Sequence, residues 1–139
     1  MRITLFTVDE ANAILPQTKP RLERLVMQKR EFDKIEARTA ILSIATAGAA
    51  PDNPDALELA ALLEKRRRLG EIIGRGAQEL HEKGVMVKDL DRGLVDFYAL
   101  SGDRLIFLCW HLGESDVSHW HALDSGFRGR QPLKGAGLE

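Results

Sequence analysis

The sequence has little of several features that would identify a class of protein. Its 139 residues include one cysteine, so no disulfide can form within the chain, and such a composition is typical of a reducing compartment. The net charge is −1, from 20 basic and 21 acidic residues, which argues against nucleic-acid binding because such domains are basic. No apolar run is long enough to span a membrane, and the N-terminal residues become charged too early for a signal peptide. The sequence therefore predicts a cytoplasmic protein with no membrane or nucleic-acid partner.

The bulk composition is that of an ordinary folded protein. Apolar residues make up 44 % of the chain and charged residues 29 %. A chain of 139 residues fits one compact domain. We expect a single domain over residues 1–139, with a helical part at 7–83 and a small β part with a C-terminal loop at 85–139.

Two prolines shape the prediction for the N-terminal helices. Thr7 and Glu10 have the spacing of a capping box, which indicates a helix start. Prolines at positions 16 and 20 should interrupt that helix, because proline is tolerated in a first turn but not in an interior. The sequence thus predicts a short first helix, followed by a long helix that begins near Gln17–Pro20 and ends near Thr46.

A second long helix is predicted from Pro54 to about Lys83. Both long helices carry a coiled-coil-like row of apolar residues at steps of three and four, interrupted by polar ones. The short connection makes the two helices antiparallel neighbours. Two glycines on one face of the later helix, Gly70 and Gly74, indicate a close approach there, most simply by a neighbouring helix.

A helical hairpin of this length cannot bury both of its apolar rows by itself. A small sheet would cover about half of it, so the remainder should pair with a second copy in a four-helix bundle. The sequence therefore predicts a homodimer through the long helices. The alternative is that the first helix and the C-terminal tail fold back over the exposed row.

After Gly84 the pattern changes to that of β-strands. Residues 85–87 could form a short strand, and residues 94–100 and 104–111 predict a β-hairpin around Ser101-Gly102-Asp103. Asp96 and Tyr98 lie on one face of the first strand of this hairpin, and that face should be the wetter, more solvent-exposed one. Apolar residues on both faces of the second strand place it centrally or under cover on both sides. The fold class is α+β, and the residues from 126 onward read as loop.

The stretch "LCWHLGESDVSHWH", residues 108–121, concentrates the side chains suited to chemistry. His119 and His121 would face the same way on a strand, as metal ligands can, and Glu114 adds a carboxylate. Cys109 and His111 have the same spacing, but Cys109 shares a face with apolar neighbours, where a lone cysteine is usually packed. The candidate metal ligands His119, His121 and Glu114 are therefore weak ones, and no cofactor is predicted.

An acid–base or small-ligand site is the second interpretation of this stretch. Glu114 directly follows the central strand, and Glu114 and His121 are the candidate catalytic residues. Four further side chains could line a ligand site, namely Trp110, Trp120, Arg128 and Arg130. In the alternative, Glu114 caps a turn or pairs with one of these arginines, as structural carboxylates commonly do.

The C-terminal half resembles a known family in its motifs. "KDLDRGLVDFYA", "LIFLCWHLGE" and "WHALDSGFRGRQPL", after the N-terminal "FTVDEANAILP", are similar to small bacterial proteins grouped as domain of unknown function 2203. The resemblance implies no activity and no catalytic residues. It directs attention to the residues in the motif blocks, which include Gly93, Asp96, Cys109, Gly113 and Gly126. The family pattern does not require histidine at 111 and 119, which weakens the metal interpretation further.

Two functional hypotheses follow. The first is a homodimeric helical hairpin that acts through protein–protein interaction, and it favours a protein that is not an enzyme. The second is a ligand or enzymatic site at the sheet end, with or without a metal. The second requires both tryptophans to line one pocket in which Glu114 and His121 converge.

Overall fold

The computed structural model describes residues 2–134 and shows a helical hairpin followed by a small sheet. This arrangement confirms the predicted α+β fold class. The helices are α1 (Val8–Ala45) and α2 (Pro54–Glu82), and a short 3-10 helix lies at Phe127–Gly129. The strands are β1 (Met86–Asp89), β2 (Leu94–Ser101), β3 (Arg104–His111), β4 (His119–Ala122) and β5 (Gln131–Pro132).

The capping box at the start of α1 is confirmed. The Thr7 hydroxyl accepts a hydrogen bond from the Glu10 backbone N–H at 3.1 Å, and the Glu10 carboxylate accepts one from the Thr7 N–H at 3.0 Å. Phe6 precedes the cap, and its ring packs edge-on against Phe97 of the sheet, with ring centres 5.2 Å apart. The cap therefore fixes where the chain leaves the sheet and enters the helix.

The predicted break between two N-terminal helices is wrong, because α1 runs through both prolines without interruption. Pro16 and Pro20 lie on the exposed side of the helix. Each proline leaves one carbonyl without its N–H partner, and on that side water can bond to it. Burial of Ala11, Leu15 and Leu22 on the opposite side holds the helix against the sheet through this segment.

The predicted helix at Pro54–Lys83 is confirmed as α2, with the side chain of Asn53 as its N-cap. Ion pairs Arg21–Glu79, Glu31–Lys65 and Arg38–Glu58 join residues of rising number in α1 to residues of falling number in α2. The two helices are therefore antiparallel neighbours along their length. Within residues 2–134, neither helix is both long and apolar enough to cross a membrane.

The close approach between the helices differs from the prediction at one of two glycines. A Cβ at Gly70 would make ordinary contact with the Phe32 ring at 3.5 Å, but one at Gly74 would have no heavy atom within 4 Å. The tight position is Gly76, where a Cβ would lie 2.6 Å from a methyl carbon of Leu25. The glycine that the neighbouring helix crowds most is therefore Gly76, two residues beyond Gly74.

The five strands form one antiparallel sheet in the order β1-β2-β3-β4-β5. The predicted hairpin is confirmed as β2 and β3, which pair from Leu94 opposite His111 to Ser101 opposite Arg104. Strand β3 is central, as its two apolar faces indicated. The prediction of loop from 126 onward is wrong at the 3-10 helix and β5, and residues 135–139 of that segment lie outside the described residues.

The two faces of the sheet differ in chemistry. One face packs against the helices and forms the main core, which includes Val95, Phe97, Leu108 and Trp110. The opposite face carries Asp96, Cys109 and His121, and the 3-10 helix contacts β4. We call this second face the polar face, and it holds the candidate site.

Candidate functional site

Strand register brings three chemically active side chains together on the polar face. Asp96 of β2 lies directly opposite Cys109 of β3, and His121 of β4 lies opposite the neighbouring same-face residue Phe107. None of the three is more than 3 % exposed. One nitrogen, oxygen or sulfur atom from each lies within 4.8 Å of the others. We call Asp96, Cys109 and His121 the buried triad.

The hydrogen bonds of His121 define which ring nitrogen carries a proton. Nδ1 lies 2.8 Å from the carbonyl oxygen of Ala122, and a carbonyl can only accept, so Nδ1 is protonated. Nε2 lies 3.0 Å from Oδ2 of Asp96. A nitrogen lone pair and a carboxylate lone pair repel one another at this distance, so a proton or another positive species must lie between them.

The carboxyl group of Asp96 is only half satisfied. Its Oδ1 atom is buried and has no hydrogen-bond partner within residues 2–134. Burial raises the pKa of Asp96, and the proximity of His121 opposes that shift. The expectation that Asp96 lies on a wetter face is wrong, because the side chain is almost fully enclosed.

Cys109 is a thiol at neutral pH. Burial, together with the neighbouring charge of Asp96, raises the pKa of Cys109 to about 12. A cysteine acts as a nucleophile only as the thiolate. Cys109 therefore does not have the properties of a catalytic nucleophile in this environment.

Glu114 is held by its neighbours at the end of β3. Its Oε1 accepts a hydrogen bond from the His111 backbone N–H at 3.0 Å, and Nη2 of Arg130 lies 2.8 and 3.0 Å from its two oxygens. The Trp110 indole N–H donates to the Glu114 backbone carbonyl at 3.1 Å. The ion pair with an arginine, one of the two interpretations of Glu114, is therefore present, and the partner is Arg130.

The other two histidines of the motif lie beside Glu114 rather than with the buried triad. Nε2 of His111 is 3.6 Å from Oε1, and Nδ1 of His119 is 3.5 Å from Oε2. The ring of Phe127 lies near His111, with ring centres 5.9 Å apart, and near the guanidinium of Arg130 at 5.0 Å. The weak metal candidates are thus divided: Glu114 and His119 are neighbours, while His121 contacts Asp96.

The predicted ligand-site residues do not converge. Trp110 is fully buried in the core on the helix side of the sheet, and Trp120 packs against that core. Register places both tryptophans on the face opposite His121 and Cys109. Arg128 is exposed. Of the predicted set, Glu114 contacts Arg130 through its carboxylate and Trp110 through its backbone carbonyl.

Asp96 is the functional candidate that sequence reasoning missed as part of a site. Asp96 is the acidic residue inside the apolar run "LVDFYAL", and β3 places the only cysteine of the sequence opposite it. An unpaired acid in an otherwise apolar strand, opposite a cysteine, was the available signal.

The comparisons with known proteins identify a family and nothing more specific. A family model described as "Uncharacterized conserved protein (DUF2203)" matches residues 4–133. No curated protein and no solved structure gave a match.

Proposed function

We propose that this chain, which belongs to the family of uncharacterized conserved proteins DUF2203, is a homodimeric helical-hairpin module. In this proposal the protein acts through protein–protein interaction. The observation that carries it is an apolar surface at the end of the hairpin far from the sheet.

The far half of the hairpin lies beyond the reach of the sheet. The core shared by helices and sheet includes residues of α1 only up to Leu25. The 20 or so residues after Leu25 extend α1 by about 30 Å. Ile44 is 81 % exposed, and Ile41 and Leu57 are each 58 % exposed, next to the turn that joins the helices. We call the surface formed by these three residues the hairpin tip.

The spacing in α1 shows that the tip belongs to one continuous helix face. Ala37, Ala40, Ile41 and Ile44 follow the i, i+3, i+4, i+7 pattern of a packed helix face, yet all four are exposed. Two alanines in such a row allow a neighbouring helix to approach closely. This is the pattern expected of a helix that packs against a further helix.

The surface area supports a second copy as the occupant. The accessible surface is 8766 Å², whereas a folded monomer of this mass exposes about 7,200 Å². The excess is larger than the roughly 800 Å² that each partner contributes to a standard interface. Two hairpins packed through their tips would form a four-helix bundle and cover both apolar faces.

Sedimentation equilibrium tests this proposal on the wild type and on two matched variants. We expect a dimer for the wild type and a monomer for Ile41→Glu/Ile44→Glu, because two carboxylates would be buried at the interface without partners. Leu123→Glu is the control, since Leu123 is 46 % exposed and follows β4, outside the two helices. It should remain a dimer.

Two results would overturn the proposal. A wild type that remains monomeric at the highest usable concentration would exclude the homodimer. A dimer that survives in the double variant, with its helical circular dichroism unchanged, would place the interface elsewhere.

The alternative of a ligand or enzymatic site receives less support. Both oxygens of Glu114 are engaged by protein groups, and the two tryptophans face away from His121. We therefore favour the interaction module. We also propose a cytoplasmic location and a single domain, on the grounds that the lone cysteine is buried and reduced and that α1 and the sheet share one core.

A further inference from the structure

We infer that the buried triad is a binding site for a divalent transition-metal ion, with Zn²⁺ as the best-matched ion. The three ligands would be Oδ1 or Oδ2 of Asp96, the Cys109 thiolate and Nε2 of His121. This inference does not depend on the proposed dimer, because the triad lies on the sheet and the tip lies on the helices.

The donor set and its dimensions fit zinc. Zinc binds imidazole nitrogen, thiolate sulfur and carboxylate oxygen at about 2.0–2.3 Å, which places tetrahedral ligand atoms roughly 3.3–3.8 Å apart. The donors of the triad lie within 4.8 Å of one another, and the Nε2–Oδ2 distance is 3.0 Å. Small rotations of side chains on three adjacent strands would bring the donors to the required spacing.

His121 is oriented as a metal ligand. Metal-binding histidines commonly donate their second ring N–H to a carbonyl or carboxylate, which fixes the free nitrogen toward the ion. Nδ1 of His121 donates to the Ala122 carbonyl, and its other nitrogen, Nε2, lies 3.0 Å from Oδ2 of Asp96. A bound cation would replace the proton that must otherwise lie between these two groups.

Asp96 supplies an independent indication of a ligand. Its Oδ1 is buried without a hydrogen-bond partner of good geometry within residues 2–134, and the residue is 2 % exposed. The Cys109 thiol, a weak donor, is the neighbour that bonds to this carboxyl group besides His121. Leaving a charged group in this state is costly, so such atoms in native proteins call for a partner. A metal ion at the triad would be that partner.

The charges of the triad balance for a dication. One thiolate and one carboxylate neutralise Zn²⁺, and a neutral imidazole adds no charge. Because buried charge is tolerated only when it is compensated, a neutral cluster suits a site this enclosed. Zinc binding would displace the Cys109 thiol proton to solvent, as metal binding to thiols does. The ion would connect β2, β3 and β4 on the face that the helices leave uncovered.

Cobalt substitution tests the inference without any mutation. Tag-free protein is stripped of metal with a chelator and titrated with Co²⁺ while the absorption spectrum is followed. We expect a thiolate-to-cobalt charge-transfer band that saturates at one equivalent of Co²⁺ and disappears when Zn²⁺ is added. Since Cys109 is the only cysteine, that band can arise only from Cys109. Its absence would overturn the inference.

Two histidine variants then distinguish the triad from the neighbouring histidines. His121→Asn should weaken Co²⁺ binding by more than about tenfold, since loss of even an outer-shell partner costs that much. His119→Asn is the matched control, two residues away on the same face, and should bind as the wild type does. Equal binding by both variants, or loss only in His119→Asn, would assign the metal to other residues and overturn the inference.

A third variant separates metal binding from folding. Asp96→Asn keeps the shape of the side chain but removes its charge, so it should also weaken Co²⁺ binding. Circular dichroism is recorded alongside each titration. If Asp96→Asn is folded and binds Co²⁺ as tightly as the wild type, Asp96 is not a ligand and the triad as proposed is wrong.

Discussion

At the scale of single residues, Glu114 joins three parts of the chain. Its carboxylate bonds the end of β3 through the His111 N–H and holds Arg130 from the segment before β5, while its carbonyl accepts from Trp110 in the core. Glu114 and Arg130 are both mostly buried. A charged pair of this kind is more costly to break than one on the surface, because the group left behind remains enclosed.

Replacing Glu114 by glutamine should therefore destabilise the protein. The amide retains one acceptor oxygen but loses the charge that balances Arg130, and we expect a loss of about 1–3 kcal/mol in the free energy of unfolding. Urea denaturation followed by tryptophan fluorescence measures it. The control is Asp116→Asn at an exposed position, which should change stability by less than about 0.5 kcal/mol. If the two variants are equally stable, Glu114 does not contribute through its charge.

Cys109 and Asp96 differ in whether their burial could be predicted from the sequence. The burial of Cys109 followed from strand alternation, because its same-face neighbours Leu105 and Phe107 are apolar. The burial of Asp96 did not follow, because it depends on the position of Asp96 opposite Cys109 and on His121 of β4, one strand further across the sheet, and β4 has no periodic sequence pattern. The contact of Asp96 with His121, 25 residues away, could not be read from local pattern.

At the scale of elements, helix α1 tolerates two prolines in its interior. Pro16 and Pro20 are one turn apart on the exposed side, so the carbonyls that lack N–H partners face solvent. The predicted break between two helices was wrong because the local sequence contains the cost of proline but not the tertiary contacts of the helix. Packing of the buried side against the sheet outweighs that cost. Helix α2, whose interior lacks proline, was predicted within one residue at its C-terminus.

Alanine at either proline should stabilise the protein. Pro16→Ala restores an N–H for the Asn12 carbonyl, and Pro20→Ala restores one for the Pro16 carbonyl, so each should add about 1–3 kcal/mol to the free energy of unfolding. Guanidinium denaturation measures the change. Gln17→Ala, exposed in the same turn, is the control and should alter stability by under about 0.5 kcal/mol. A destabilised Pro→Ala variant would show that the helix needs a bend at that proline.

At the scale of the whole molecule, the sheet has short edges and the helices have a long exposed face. Strand β1 has four residues with a register shift, and β5 has two residues including Pro132, so both edges are poor templates for adding a strand. The hairpin tip, in contrast, has exposed apolar side chains and no feature that would hinder the packing of another helix against it. The shape of the molecule thus favours association through helices over association through strands.

A homodimer would make the thermal midpoint depend on protein concentration. Dimer formation stabilises the folded state by mass action, so we expect the wild-type Tm to rise by about 2–4 °C for each tenfold increase in concentration. Ile41→Glu/Ile44→Glu should show a Tm that does not vary with concentration. Differential scanning fluorimetry across a wide concentration range measures both. A concentration-independent wild-type Tm would count against the dimer.

The order of elements along the chain has a consequence for synthesis on the ribosome. Leu15 and Leu22 of α1 are buried against strands that end at His111, almost ninety residues later. At about 5–20 residues per second, those strands follow the helix after roughly 5–20 s. During that interval the nascent hairpin presents its core-facing leucines without their partners. The hairpin is therefore the part of the nascent chain that is most accessible to chaperones and most prone to non-native contacts.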